Sequence, residues 1–435
     1  MRGALLILGP LFLLPFILFG LGIIQATHLV ASMVFLLYLC LLIINFEAGF
    51  LSLIFIRSSI DYLKHFAGSG DANLAAAVSL VIIVLGVFYV LYQKVNILKF
   101  DDSVPFLVFL ALCGLSVTYS PAFIESLSDW LRLVSTFAVY ILARIIFTTS
   151  EKIRRLFIVI LLSALMPMMV AVYQLATGNG AVYDAGQHRI VGTFLHPNAF
   201  ASYLLILLIF CTAQILEKGN FLSRRFMIVL TSSAAILFLF TFSRGAWLVF
   251  VFAMILMGFL RYRRILGILP FVLIAAILMV PAVKDRILNV FDAGYTHGRS
   301  GWDWRVDTWT QIMDMVRAKP FFGHGLSSVE FHYGILTHND YLRLIAETGL
   351  FGFVAYVFFV IKILVKTWQD FKNAHSNMAK SFQVGLLAVI AAFLVRQFAD
   401  NTLRNTVMVI YFWIFVAISR NIAALDRTEK QNAIA

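Results

Sequence analysis

Eleven apolar stretches, each close to the length of a bilayer-crossing helix, follow one another between residues 74 and 420. They lie near 74–92, 104–119, 128–147, 155–176, 199–216, 226–242, 246–260, 265–283, 345–367, 383–399 and 405–420. About 20 apolar residues in a helix cover about 30 Å of hydrocarbon. The stretch 4–56 adds one to three more, with a break expected near Glu47 and Gly49, so about twelve spans are expected. Hydrophobic residues make up 61% of the 435 and charged ones only 13%, against about 45–50% and about 25% in a soluble domain. A water-soluble core of this length cannot hide that excess. The expected fold class is an all-α polytopic membrane protein. The same composition excludes a disordered chain and a disulfide scaffold. Cys40, Cys113 and Cys211 all sit in apolar runs and read as small core hydrophobes. Met1-Arg2 opens a run that stays apolar to about Ile56 without a small-residue cleavage site, so it reads as a retained anchor.

The net charge of +12 would suggest a polyanionic partner in a soluble protein. Here the excess of Lys and Arg on inner-leaflet loops accounts for most of it, and no nucleic-acid partner is expected. Five basic clusters carry the signal: Lys152, Arg154 and Arg155; Lys218, Arg224 and Arg225; Arg261, Arg263 and Arg264; Lys366, Lys372 and Lys380; Arg420, Arg427 and Lys430. Counting spans places all five on one side, with the C-terminus in the cytoplasm.

The other side receives Thr177–Asn198, the short connection at Ser243-Arg244-Gly245, and a long polar segment from about Lys284 to Arg343. A loop of roughly sixty residues in so economical a chain is expected to be functional. Three regions follow: helices in 1–283, the large outer loop in 284–343, and helices with a tail in 344–435. Short helices on the membrane face are expected in the loop, with its Trp and Phe side chains at the headgroup level. It holds Trp302, Trp304, Trp309, His297, His324, His332 and His338.

Metal chemistry finds no support in the spacing. Asp285, Asp292, Asp303, Asp307, Asp314, Glu330 and Asp340 form no Asp-x-Asp pair, and His324, His332 and His338 are 8 and 6 apart, unlike common zinc sites. No metal and no cofactor are expected. A phosphate-cradling glycine loop and a Gly-x-Ser-x-Gly elbow are absent too, which argues against a nucleotide-driven pump and a serine hydrolase.

What remains is a set of outward cations: Arg189, Arg244, Arg299, Arg305 and Arg317. Arginines beside hydrocarbon are costly to desolvate, and the inner-leaflet rule does not explain outward ones. A polyanion would compensate them, and a diphosphate suits the bidentate guanidinium. Any one of them alone fits a headgroup or carboxylate contact equally well. His338 precedes Asn339-Asp340 and an apolar run, so it should stand at the mouth of a capped helix. A histidine there is able to take a proton from a sugar hydroxyl, although a lone terminal histidine is more often a plain interfacial residue. Gly349 and Gly352, three apart, are expected to admit a close neighbouring helix.

His338-Asn339 followed by Gly349 and Gly352 resembles the pattern of the bacterial O-antigen ligase and polymerase superfamily. Arg305-x-x-x-Trp309 with Pro320-Phe321-Phe322-Gly323-His324-Gly325 is similar to that family's large periplasmic loop. So are Gly192-Thr193-Phe194 before His196-Pro197-Asn198, and Ser243-Arg244-Gly245-Ala246-Trp247. The resemblance covers roughly 177–352 by motif and the whole chain by span count and loop order. It implies a metal-independent, inverting glycosyltransferase of GT-C type in the bacterial inner membrane, with its site facing the periplasm. The implied donor is a glycan on undecaprenyl diphosphate, and the implied acceptor is the lipid A core oligosaccharide. Carried over by position, His338 would be the general base. The implied substrate-binding set is Arg189, Arg305, Arg244, Asn339 and Arg317.

Two alternatives stay open. A repeat-unit polymerase for O-antigen or exopolysaccharide would share the carrier but use another lipid-linked glycan as acceptor. A transporter of lipid-linked glycans would also need outward cations and many spans, but transporters usually show midplane charges and matching broken helices. Few such charges and no internal repeat are found here.

Overall fold

The computed structural model describes residues 26–60, 72–183, 187–217, 222–288 and 301–434. The first 25 residues, Lys218, Asp292, His297 and Arg299 lie outside the described residues, as do the side chains of Trp302, Asp303 and Trp304. The chain divides into two compact units, Met1–Ser58 and Ser59–Ala435.

In the first unit, α1 (Ala26–Ile44) and α2 (Phe46–Ile60) are separated by Asn45, whose Oδ1 accepts the Ala48 backbone N–H at 3.0 Å. The break expected at Glu47–Gly49 thus falls just before it, where an Asn side chain can cap the new helix.

The second unit holds α3 (Ala72–Tyr92), α4 (Ser103–Val117), α5 (Phe123–Ile146), α6 (Ser150–Ser163), α7 (Leu165–Thr177), α8 (Pro197–Ile215), α9 (Arg224–Phe240), α10 (Arg244–Leu260) and α11 (Arg264–Met279). They are followed by α12 (Pro281–Leu288), α13 (Gly301–Ala318), α14 (Ser328–Tyr333), α15 (Asp340–Asn373), α16 (Asn377–Gln397) and α17 (Thr406–Ile434). Strands β1 (Ala181–Tyr183) and β2 (Gln187–Arg189) form a short antiparallel hairpin with Val182 opposite His188. All eleven apolar stretches are helical. Among the described residues, five segments are long and apolar enough to cross a membrane: Ser150–Thr177, Pro197–Ile215, Asp340–Asn373, Asn377–Gln397 and Thr406–Asn432. Ser79–Tyr92, Ser103–Val117 and Arg244–Leu260 are apolar but shorter, and α11 with α12 makes a pair bent by 100° at Pro281. The chain is a helical, multi-pass membrane protein.

Helix α17 runs through the middle, buried from Val407 to Ala423. Phe106, Phe359 and Trp413 stack at 4.5–5.3 Å between α4, α15 and α17. One end of the bundle is tied by charges. Arg261 donates to Glu217 at 2.7 and 3.0 Å and to Asn377 at 3.0 Å, joining the ends of α8, α10 and α16. Arg420 grips both oxygens of Asp102, at 2.9 and 3.2 Å, and reaches Asp370 at 3.1 Å. The starts of α6, α9 and α11, which carry Arg154, Arg155, Arg224, Arg225 and Arg264, lie at this same end by chain alternation.

The opposite end receives the hairpin, the α9–α10 turn, the start of α15, the end of α16 and the long loop. The loop packs Ile312 and Met315 of α13 and Val329 of α14 on Ala346 of α15. Trp309 is half-buried and donates from Nε1 to the Thr337 carbonyl at 3.0 Å, so it is fixed against the protein and not presented outward.

Helix α15 overturns one expectation. It breaks at Gly349, where φ is +66° and ψ is −171°. The segment Pro320–Gly325 crosses the break: His324 N–H bonds to Ala346 O at 2.9 Å, Gly325 N–H to Glu347 O at 2.8 Å, and Leu350 N–H to Pro320 O at 2.8 Å. A Cβ on Gly349 would stand 2.2 Å from the Phe321 carbonyl oxygen, and one on Gly352 would strike Thr348 of its own helix. Gly349 therefore admits a loop segment into a broken helix, and the space beside Gly352 is taken by Thr348, so the pair does not form the expected small-residue seat for a neighbouring helix. The reason is the left-handed φ, which glycine adopts without steric cost and which frees carbonyls for the loop.

Candidate active site

Arg189 ends β2 and is held from below. The amide of buried Gln174 accepts the backbone N–H groups of Val191 and Gly192, both at 2.9 Å, and donates to Gly192 O at 3.0 Å. That clasp fixes the left-handed turn at Gly192 and so the strand before it. The Arg189 guanidinium donates to Thr241 O at 2.7 Å and to Asn198 Oδ1 at 3.2 Å. Asn198 Oδ1 also accepts from Ser243 Oγ at 2.9 Å. The His196-Pro197-Asn198 and Ser243-Arg244-Gly245 segments, 45 residues apart, thus meet through one amide oxygen. His196 caps α8, its Nδ1 accepting the Asn198 N–H at 3.0 Å, with Pro197 in the first turn where no N–H is needed.

His338 has a φ of +47°, unusual for a residue with a Cβ. Such strain gathers where the surrounding structure holds a side chain for a purpose. Asn339 follows as the cap of α15, its Oδ1 accepting Tyr341 N–H at 3.0 Å and Leu342 N–H at 3.1 Å. The side-chain oxygen of Asn339 is thereby committed to the helix. His338 Nδ1 lies 3.6 Å from Asp400 Oδ1.

Asp400 was not among the residues singled out from the sequence, and neither was Arg396, which binds it. Arg396 Nη2 donates to Asp400 Oδ2 at 2.6 Å, Nε to Ser202 at 3.2 Å and Nη2 to Ser243 at 3.5 Å. Their signal in the sequence is an arginine inside an apolar run with an aspartate four residues on, the spacing that puts both on one helix face. Arg396 is sealed at 2% side-chain exposure, while Asp400 and His338 keep 18% and 23%. Water and a ligand therefore reach the imidazole and its carboxylate, not the guanidinium behind them.

Electrostatic coupling extends the cluster. Burial would raise the Asp400 carboxyl, but Arg396 and then His338 hold it well below the usual carboxylate range. Burial pushes His196 down to about 4, with Asp400 opposing and Arg189 assisting, so its ring is neutral near pH 7. Burial also lowers Arg305, which feels Asp400 as an attractive charge and Arg396 and Arg244 as like charges. Arg244 additionally reaches the Arg286 carbonyl at 3.5 Å. Arg189, Arg244, Arg305 and His338 thus come from four separate stretches to one place. Arg317 does not join them. It is twelve residues beyond Arg305 on α13, about 18 Å along the helix, and its exposed guanidinium pairs with Asp314 at 2.9 Å.

A second polar group lies beside the first. Asp129 on α5 accepts from Ser327 at 2.8 Å and from Arg404 at 2.9 and 3.2 Å, and Arg404 also holds Glu330. Asp340 accepts the Leu403 N–H at 2.8 Å, and Thr337 donates to Asn401 at 2.6 Å. These contacts pin the loop and the 399–405 connector to the bundle on either side of His338 and Asp400. Among the described residues, no group of three His, Cys, Asp or Glu is arranged to hold a metal ion.

Against known families, residues 226–357 match the model of the O-antigen ligase family. The segment runs from α9 into α15 and includes Arg244, Arg305 and His338. The resemblance read from the motifs is thus shown over these residues, and the match supports a membrane glycosyltransferase of the O-antigen ligase or polymerase type. No curated protein matches the chain.

Proposed function

We propose that this protein transfers O-antigen polysaccharide from undecaprenyl diphosphate to the lipid A core oligosaccharide, at the periplasmic face of the inner membrane. The observation that carries the reading is His338 beside Asp400, with Arg305 coupled to that carboxylate, to its partner Arg396 and to Arg244, and with Arg189 joined to Arg396 through Asn198 and Ser243, at the bundle end away from the basic clusters. The bundle would comprise about twelve spans. In this reaction His338 takes the proton from an acceptor hydroxyl. The oxygen attacks the anomeric carbon from the side opposite the leaving group, and the carbon–oxygen bond to the diphosphate breaks. The configuration inverts, and undecaprenyl diphosphate leaves with the bond's electron pair. Asp400 beside Nδ1 orients the ring so that Nε2 is the atom that accepts the proton. Arg189, Arg305 and Arg244 face the leaving diphosphate, where fixed guanidinium charge stabilises the negative charge that builds in the transition state. No metal is needed for this step.

A gel of lipopolysaccharide from a strain lacking the gene tests the reading. Core-only lipid with accumulated carrier-linked polymer is the expected result. Core capped by a single repeat unit would instead assign the protein as the repeat-unit polymerase.

A further inference from the structure

We propose that Arg396, seated in a slot made by Ser202, Ser243 and Gly245, is the positioning residue that holds the Asp400 carboxylate against His338. The inference rests on the reading of His338 as the base.

The slot is built from two helices, α8 and α10, and receives Arg396 from a third, α16. Ser202 of α8 and Ser243 at the start of α10 accept from two guanidinium nitrogens, Nε and Nη2, and Nη2 also carries Asp400. The third wall is an absent side chain: a Cβ on Gly245 would stand 2.7 Å from Nη1. Glycine is needed there because the guanidinium occupies the volume a methyl would take. Ser243 is itself tied to Asn198, which holds Arg189. The slot therefore links Arg189 to the Asp400 carboxylate through hydrogen bonds, and that carboxylate lies 3.6 Å from His338.

Burial of Arg396 at 2% exposure makes a donor-binding role the less fitting one, because a lipid diphosphate would have to displace Asp400 and both serines to reach it. A guanidinium also suits this post better than an ammonium. Its planar fork presents several N–H groups at fixed angles, so serines and carboxylate are served together. Once Asp400 Oδ2 is bound at 2.6 Å, the remaining oxygen Oδ1 is the one turned to His338. The other charged or titratable groups coupled to this carboxylate or to its partners are His196, Arg189, Arg244, Arg305 and Asp340.

The test is a double-mutant cycle on the purified full chain in nanodiscs. The probes are an undecaprenyl-diphosphate-linked glycan and core lipid, and kcat and KM are measured separately. Arg396→Gln and Asp400→Asn should each lower kcat by about 10- to 100-fold, less than the loss of the base itself, which supplies about 100- to 10,000-fold. KM for the donor should stay within about threefold, and the double variant should be no slower than the slower single one. Losses that multiply would overturn the proposal, as would a raised donor KM at unchanged kcat, which would make Arg396 a diphosphate ligand. Gly245→Ala keeps both charges and guards against a misfolded Arg396→Gln. Its added methyl should displace the guanidinium and lower kcat about tenfold; wild-type kcat there would contradict the slot. Arg396→Lys should recover part of the loss. Should the wild type use a second lipid-linked glycan as acceptor, the ligase reading fails, and the cycle is still read on that transfer.

Discussion

Two buried arginines at opposite ends of the same bundle are held in different ways. Arg420 is closed in: two carboxylates, the Thr367 hydroxyl and the Ile363 carbonyl take its three nitrogens, and all the named side chains are buried. Arg396 has one carboxylate and two serines, and that carboxylate is shared with a histidine that reaches solvent. The first arrangement serves as a staple between α4, α15 and α17, and its Asp370 runs on only to further cations, Lys366 and Arg427, each at 3.7 Å. The second leads outward, through Asp400 to His338, and is flanked by Arg189, Arg244 and Arg305. Burial of a charge is thus a poor guide to role. What separates the two is what the chain of contacts leads to: further ion pairs in the first, a histidine beside the outward arginines in the second.

The comparison breaks most visibly at Arg420. Arg420→Ala strands buried Asp102 without its cation, while Asp370 keeps Lys366 and Arg427 at 3.7 Å, and should cost about 3–5 kcal/mol. Thermal unfolding in detergent reads the loss, while transfer per folded molecule should stay near wild type. Activity lost without stability lost would move Arg420 out of the staple role. At the other end, Arg305→Ala should do the reverse: little change in melting temperature, and a donor kcat/KM lowered about 10- to 100-fold through lost charge-assisted hydrogen bonds. Arg305→Lys should restore only part, since the bidentate fork is gone; full recovery with Lys would remove the diphosphate from that position.

The smallest effect is a pH dependence. His196 has a folded pKa of about 4 against an ordinary 6.5. Between those values the unfolded chain binds more protons, so this contribution is fully present above pH 6.5 and is lost as pH falls towards 4. Partial exposure of the ring limits it to about 1–2 kcal/mol. His196→Asn keeps a capping oxygen and does not titrate, so its stability should fall less between pH 7 and pH 4 than that of the wild type. Parallel curves would mean that the ring is not held neutral.

The helices were legible because a chain in lipid must satisfy its backbone within each span, and apolar runs of span length leave little choice. Arg189 and Arg244 stood out because each precedes such a run on the outward side, and Arg305 because it lies in the long outer loop. Arg396 and Asp400 were missed for the same reason turned round. Arg396 lies inside the run 383–399, and its partners Ser202 and Ser243 are 194 and 153 residues away in the chain. Spacing cannot report contacts made across the bundle. Gly349 shows the other failure: two glycines three apart fit close helix packing and a broken helix equally, and only the backbone angle tells them apart. Asn339 and Arg317 carried suitable chemistry, but one is spent on a helix cap and the other pairs with Asp314 at the surface.

The most direct measurement is glycan transfer by the purified protein in nanodiscs, with undecaprenyl-diphosphate-linked O-antigen as donor, core lipid as acceptor and EDTA present throughout. Capped lipid should form with the wild type and fall by about 100-fold or more with His338→Ala, while both proteins melt at similar temperatures. Equal capping by His338→Ala, or capping that requires added magnesium, would contradict a metal-free transfer with a single imidazole as base.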